Sequence, residues 1–250
     1  MGCMKSKNLC KLIKEEKTDE ALILIDKMSK KEINEYSAPL FMRWMYNAAE
    51  TDIDLPLVCA CERGNYKIVK ALLEKGAEPN KFLDGNWSSI EAAFVRGRDD
   101  RLKIAKALIE YDADVNLCGS RTPAMFLEAG FFLSGIKDEA LSNQIITLLM
   151  DNGANPVHES GRTVLHYSVY GNSVLITENL ISNYNIPIDI VGEHGETPLM
   201  WGAENNAADT VKLLLELGAD KSIKDETGKT AYDYAVEKGY IELAELLAPE

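Results

Sequence analysis

The sequence predicts an all-α fold, a solenoid of stacked antiparallel helix pairs linked by short β-hairpin loops. Three observations predict it. A short segment recurs at near-constant spacing, a second anchor recurs in register with it, and the residues between keep apolar side chains at helical intervals.

The first anchor is Gly195-Glu196-Thr197-Pro198-Leu199-Met200, which returns as Gly161-Arg162-Thr163-Val164-Leu165-His166, as Gly119-Ser120-Arg121-Thr122-Pro123 and as Gly228-Lys229-Thr230-Ala231-Tyr232. Weaker copies sit at Leu55 and Ser88. The Thr-equivalent positions 55, 88, 122, 163, 197 and 230 are separated by 33, 34, 41, 34 and 33 residues. The second anchor is a Leu-Leu run followed by Gly76, Asp112, Gly153 or Gly218 and then Ala, with Asn185 standing at the same place in the remaining copy.

Each unit has a physical logic. The threonine caps a first helix by accepting from its free N–H groups, and Pro123 or Pro198 occupies the first helical position, where no donor is needed. Ile68, Val69, Leu72 and Leu73, or Val211, Leu214 and Leu215, give the second helix its apolar stripe. The glycine then supplies the left-handed residue that ends it. Neither helix buries its stripe alone, so neighbouring units must stack. Only Thr163 to His166 keeps a Thr-x-x-His arrangement. Met125, Met200 and Asp233 replace the histidine elsewhere, and those units are expected to lose one local hydrogen bond.

These two anchors resemble the ankyrin repeat, a 33-residue unit with a Thr-Pro-Leu-His-x-Ala start and a Leu-Leu-x-x-Gly-Ala-Asp-x-Asn end. The resemblance covers residue 50 to the C-terminus. It implies a single domain over residues 1–250, with five repeats at about 50–82, 83–116, 117–157, 158–191 and 192–224. Before them, Leu9, Leu12 and Ile13 followed by Ala21, Leu22, Leu24 and Ile25 predict an N-terminal capping pair over 5–35. Its lysines, among them Lys5, Lys11 and Lys17, are the polar outer side a terminal repeat needs. Leu40, Phe41, Trp44, Met45 and Ala48 predict an extra helix over 38–49. An insertion around 130–141, with Phe131, Phe132 and Leu133, separates the paired helices of the third repeat. Tyr232, Ala235, Val236, Leu243 and Leu247 predict a C-terminal cap over 225–250.

Composition bounds the function. The chain has 250 residues, 46% of them apolar, and 27 basic against 40 acidic side chains give a net charge of −13. Such a surface repels a phosphate backbone, so nucleic acid is not an expected partner, whereas a basic protein is attracted. Five cysteines without paired spacing argue against a disulfide framework or a structural metal. Cys59 and Cys61 fall on a predicted core helix, where free cysteine packs as a small apolar residue. No run is long and apolar enough for a membrane span or a secretory leader, so a cytoplasmic monomer is expected. The opening Met1-Gly2-Cys3-Met4-Lys5-Ser6 fits an N-myristoylation pattern, with Gly2 and Cys3 as candidate acylation sites. Without acylation no membrane contact is expected.

No metal-protease, phosphate-loop, nucleophile-elbow or dinucleotide motif is present. Neither catalytic residues nor a cofactor are therefore expected. The resemblance implies a protein–protein interaction module, an adaptor, scaffold or inhibitor, that holds its partner on a concave face of hairpin tips and first-helix ends. The candidate residues are Asp84, Trp87, Arg96, Arg121, Glu159, Arg162, Glu193, His194, Glu196, Glu226 and Lys229. Trp87 stands out, because a tryptophan on a tip gains little unless something covers it, a partner or Phe82. Three alternatives follow the same residues. They are an inhibitor of a basic toxin or nuclease, an enzyme site assembled from His158, Glu159, His194 and Glu196, and a structural protein that self-associates through the Phe131 insertion.

Overall fold

A computed structural model describes residues 2–35, 55–81, 87–94, 100–118, 138–158 and 161–249. The expected extra helix at 38–49, most of the 130–141 insertion and the candidates Asp84, Arg96, Arg121 and Glu159 lie outside these residues. The chain forms two compact units, Met1–Ala124 and Met125–Glu250.

In the first unit, α1 (Gly2–Lys14) and α2 (Thr18–Asp26) form an antiparallel pair, followed by the short α3 (Lys30–Ile33). Two further pairs follow: α4 (Pro56–Glu62) with α5 (Tyr66–Glu74), and α6 (Ser89–Ala92) with α7 (Arg101–Glu110). First helices pack on first helices and second on second, α1 against α4 against α6 and α2 against α5 against α7. This is the stacking that the amphipathic stripes require. Ile68, Val69, Leu72 and Leu73 of α5 are all buried. Cys59 and Cys61 are buried on α4, as a core helix demands, and burial pushes the Cys61 thiol up from its ordinary value.

The second unit comprises α8 (Glu139–Asp151), α9 (Val164–Tyr170), α10 (Val174–Ser182), α11 (Pro198–Glu204), α12 (Ala208–Glu216), α13 (Ala231–Lys238) and α14 (Ile241–Leu247). First helices α9, α11 and α13 lie side by side, backed by the row α8, α10 and α12. Leu165, Val169, Ile176, Leu180, Leu199, Val211 and Leu214 fill the space between the rows. Gly202 lets α11 sit close. A Cβ there would meet Val211 Cγ2 at 2.7 Å and Val169 Cγ1 at 3.0 Å.

The second anchor has the geometry its sequence implies. Gly76, Gly153 and Gly218 adopt φ of +89°, +82° and +91°, and Asp112 and Asn185 take the same left-handed turn at +62° and +53°. Asparagine and aspartate are the side chains that tolerate it best. The terminal asparagine of the motif has a job too. The Asn80 amide donates to the Asp112 carbonyl at 2.8 Å and its oxygen accepts from the Asp114 N–H at 2.8 Å, tying one repeat's loop to the next repeat's turn. Among the described residues, no helix is long and apolar enough to cross a membrane.

Candidate functional site

Three hairpin loops of one design precede α9, α11 and α13. The first residue of each donates its N–H to the carbonyl of the fifth: His158 to Arg162 at 2.7 Å, Gly192 to Glu196 at 2.8 Å and Asp225 to Lys229 at 2.9 Å. The fourth is a glycine, Gly161, Gly195 or Gly228, at φ +71°, +76° or +82°. The tips stack. The Glu226 N–H donates to the His194 carbonyl at 3.0 Å, and a Cβ on Gly195 would come within 3.2 Å of that same Glu226 nitrogen. Gly228 has nothing within 4 Å of such a Cβ. Gly195→Ala is therefore expected to cost about 2 kcal/mol or more, the left-handed penalty plus the clash with backbone, and Gly228→Ala only the penalty of about 1–2 kcal/mol. Urea unfolding of the two variants measures the difference.

Each loop feeds a threonine cap. The Met200 and Asp233 N–H groups donate to Thr197 and Thr230 Oγ1 at 3.3 and 3.4 Å. The Thr163 N–H donates to His166 Nδ1 at 3.1 Å, which leaves the imidazole proton on Nε2 to donate to the Glu196 carbonyl of the next hairpin, also at 3.1 Å. The expected loss of the local bond in the other units does not hold at Asp233, whose carboxylate accepts from the Thr230 N–H at 2.8 Å. A carboxylate at this position has the same reach as the imidazole nitrogen. At Met200 a thioether sulfur takes the Thr197 N–H at 3.4 Å, a weaker acceptor. What neither replacement is seen to supply is the second bond, from repeat to repeat, that His166 makes.

Of the predicted residues, the structure gathers Arg162, Glu193, His194, Glu196, Glu226 and Lys229 on the tips of the second unit. Arg162 Nε donates to Glu196 Oε1 at 2.9 Å, while Glu196 Oε2 accepts from the His194 N–H at 2.8 Å. Burial works to raise the Glu196 carboxyl, but these donors and its own N–H outweigh it and hold the group below its ordinary range. His194 Nδ1 lies 3.8 Å from Glu226, and Lys229 Nζ reaches Glu237 at 2.8 Å. Trp87 is half-buried directly before Ser88, whose N–H donates to Glu91 at 2.7 Å; its expected packing partner Phe82 lies outside the described residues.

The centre of the face is a residue the candidate set omits. Trp201 on α11 holds the Arg162 guanidinium 5.1 Å from its ring centroid. Tyr167 and Tyr170 of α9 stand beside it with centroids at 5.5 and 6.0 Å, and the buried His166 meets it edge-on at 5.6 Å. The signal was in the register. Aligned on Thr163, Thr197 and Thr230, the fifth residues are Tyr167, Trp201 and Tyr234, one aromatic column along adjacent first helices. Tyr234 anchors the next tip by donating its hydroxyl to Asp225, which also accepts from Thr227 and from the Lys229 N–H at 3.0 Å. Burial opposes ionisation of Asp225, yet Tyr234 and the other donors bring its carboxyl down to about 2. Lys229 completes the column with its ammonium 5.4 Å from the Tyr234 ring centroid.

Stacked helix pairs, left-handed turns at fixed period and hydrogen-bonded tips define a repeat protein that presents a row of side chains. The model of the family "Ankyrin repeats (3 copies)" matches residues 9–118, 138–225 and 194–250, and the chain belongs to that family. It is similar to palmitoyltransferase AKR1 of Lachancea kluyveri, with 24% identity over 72% of this chain and 24% of that protein. It is also similar to ankyrin repeat protein L86 of Acanthamoeba polyphaga mimivirus, 29% identical over 70% of this chain and 33% of that protein. NAD-capped RNA hydrolase NUDT12 of Homo sapiens is 35% identical over 34% of this chain and 19% of its own length. The chain thus spans a third or less of each of these relatives.

Proposed function

We propose that this chain is an adaptor, scaffold or inhibitor that holds a basic protein partner on the face made by the 192–196 and 225–229 tips and by α9, α11 and α13. The observation that carries the proposal is the Trp201 cluster. A tryptophan, two tyrosines and an arginine, the residue types that dominate binding hot spots, meet on a face whose Tyr170 is 45% exposed. The net charge of −13 favours a basic partner and a fast, salt-sensitive encounter. The relatives' names supply independent support. Proteins named as a transferase and a hydrolase share with this chain only a fraction of their length, as expected of a recognition module carried by proteins of different activity.

The test is affinity capture with the full chain beside a Tyr170→Ser/Glu193→Lys variant, both changes being on exposed positions. The protein recovered is then purified and titrated against both. The expected result is a partner held by the wild type and weakened about tenfold or more by the variant. The same proteins bound equally by both chains would remove this face from recognition.

A further inference from the structure

We infer that a cleft beneath the two stacked tips of the second unit receives a cationic side chain, arginine or lysine, of the bound partner; this rests on the interaction-module reading above and names its chemistry. The cleft measures about 320 Å³, with Trp201 and Tyr234 among its walls and the carboxylates of Glu196, Glu204, Asp225 and Glu226 around them.

The four carboxylates divide into two kinds. Glu196 and Asp225 are buried and saturated: Glu196 accepts from Arg162 and the His194 N–H, Asp225 from Thr227, Lys229 and Tyr234. They shape the cleft and are not available to a ligand. Glu204 and Glu226 differ. Glu204 has one side-chain ion pair, with Lys238 at 3.2 Å, and Glu226 has the His194 imidazole 3.8 Å away, and the members of both pairs are between 42% and 67% exposed. Such solvent-exposed pairs are weak and open to exchange. A cation entering between them finds two replaceable acceptors.

Two independent observations point to a cation as the occupant. The chain itself places cations on this aromatic column, Arg162, which also lines the cleft, over Trp201 at 5.1 Å and Lys229 over Tyr234 at 5.4 Å, so contact between a cation and these rings is a geometry the column already supports. The charge of the whole molecule is also segregated. Met1–Ala124 carries 20 acidic and 20 basic side chains, whereas Met125–Glu250 carries 20 acidic and seven basic, so the entire net charge of −13 belongs to the unit with the cleft. A single-sign field over one unit draws a basic segment to that unit and not to the other.

The probe is a fluorescein-labelled heptapeptide with two arginines in a Gly/Ser background, compared with the same peptide carrying neutral citrulline. Anisotropy with the full chain should show saturable binding of the arginine peptide and about tenfold weaker binding of the citrulline one. Glu204→Gln/Glu226→Gln should weaken the arginine peptide about tenfold and leave the citrulline peptide unchanged. Glu216→Gln/Glu242→Gln removes the same charge from exposed positions on α12 and α14 and should have little effect. Equal weakening by both pairs would mean that the bulk field acts without a cleft, and undiminished binding by Glu204→Gln/Glu226→Gln, or none by the wild type, would equally overturn the inference. A protein partner lost by Tyr170→Ser/Glu193→Lys but kept in full by Glu204→Gln/Glu226→Gln would overturn the cleft while leaving the interaction module standing.

Discussion

Replacing His166 by alanine is expected to lower the unfolding free energy by about 3 kcal/mol, through a cavity, one orphaned backbone N–H and the loss of a bond between repeats. The side chain is fully buried; without it the Thr163 N–H loses its acceptor, and the Glu196 carbonyl keeps the Gly192 N–H but loses its second donor. The loss spreads, because the second bond joins two repeats whose stability depends on their neighbours. The same residue sets a pH dependence. Burial holds the imidazole below its ordinary value of 6.5, so the unfolded chain takes up that proton first. Its contribution is complete above about pH 6.5 and is lost as pH falls below that value toward the folded pKa. The depressed carboxyls Glu196, Asp225 and Asp233 act lower, their stabilisation being present above about pH 4 and lost as pH falls through their folded values. Urea unfolding at pH 7.5, 6 and 5 separates the two windows. The wild type should weaken across this range and His166→Ala should be nearly flat, and equal slopes would show that another group carries the effect.

Replacing Trp201 by alanine is expected to act on stability and recognition together. Trp201 is half-buried and touches His166, Tyr167, Tyr170 and the Arg162 guanidinium, so truncation should cost about 2–3 kcal/mol of folding free energy, less than for a fully buried tryptophan. Partner affinity should fall by about 2–4 kcal/mol, roughly 30- to 1000-fold, as for a central hot spot. Trp201→Phe keeps an aromatic surface for Arg162 and should recover much of both. A partner whose affinity is unchanged by Trp201→Ala in a chain still folded by circular dichroism would place the binding centre elsewhere.

Counting from the threonine reaches the hairpin tips and the first-helix ends, among them Arg162, His194, Glu196, Glu226 and Lys229, but not the helix position four residues beyond each cap. Tyr167, Trp201 and Tyr234 read singly as core aromatics, and only their shared place in three consecutive repeats marks them as a column. The substitution of His166 by Asp233 reads in sequence as a lost bond, because the reach of a carboxylate to the Thr230 N–H is a matter of side-chain geometry.

The fold itself was determined by local chemistry: a threonine or serine cap or an N1 proline starts the first helices, apolar residues at helical spacing make the stripes, and Gly76, Asp112, Gly153, Asn185 and Gly218 turn the chain left-handed after the second helices. These signals depend on residues close in sequence, and they repeat, so a linear pattern suffices to read them. What the tertiary structure alone decided is which charges meet. Arg162 and Glu196 are 34 residues apart and Arg162 and Trp201 are 39, and only the stacking of one helix pair on the next brings them into contact and divides the carboxylates of the face into saturated and exchangeable ones. Such pairings are set by distances across the stack, to which neighbouring residues in the chain give no guide.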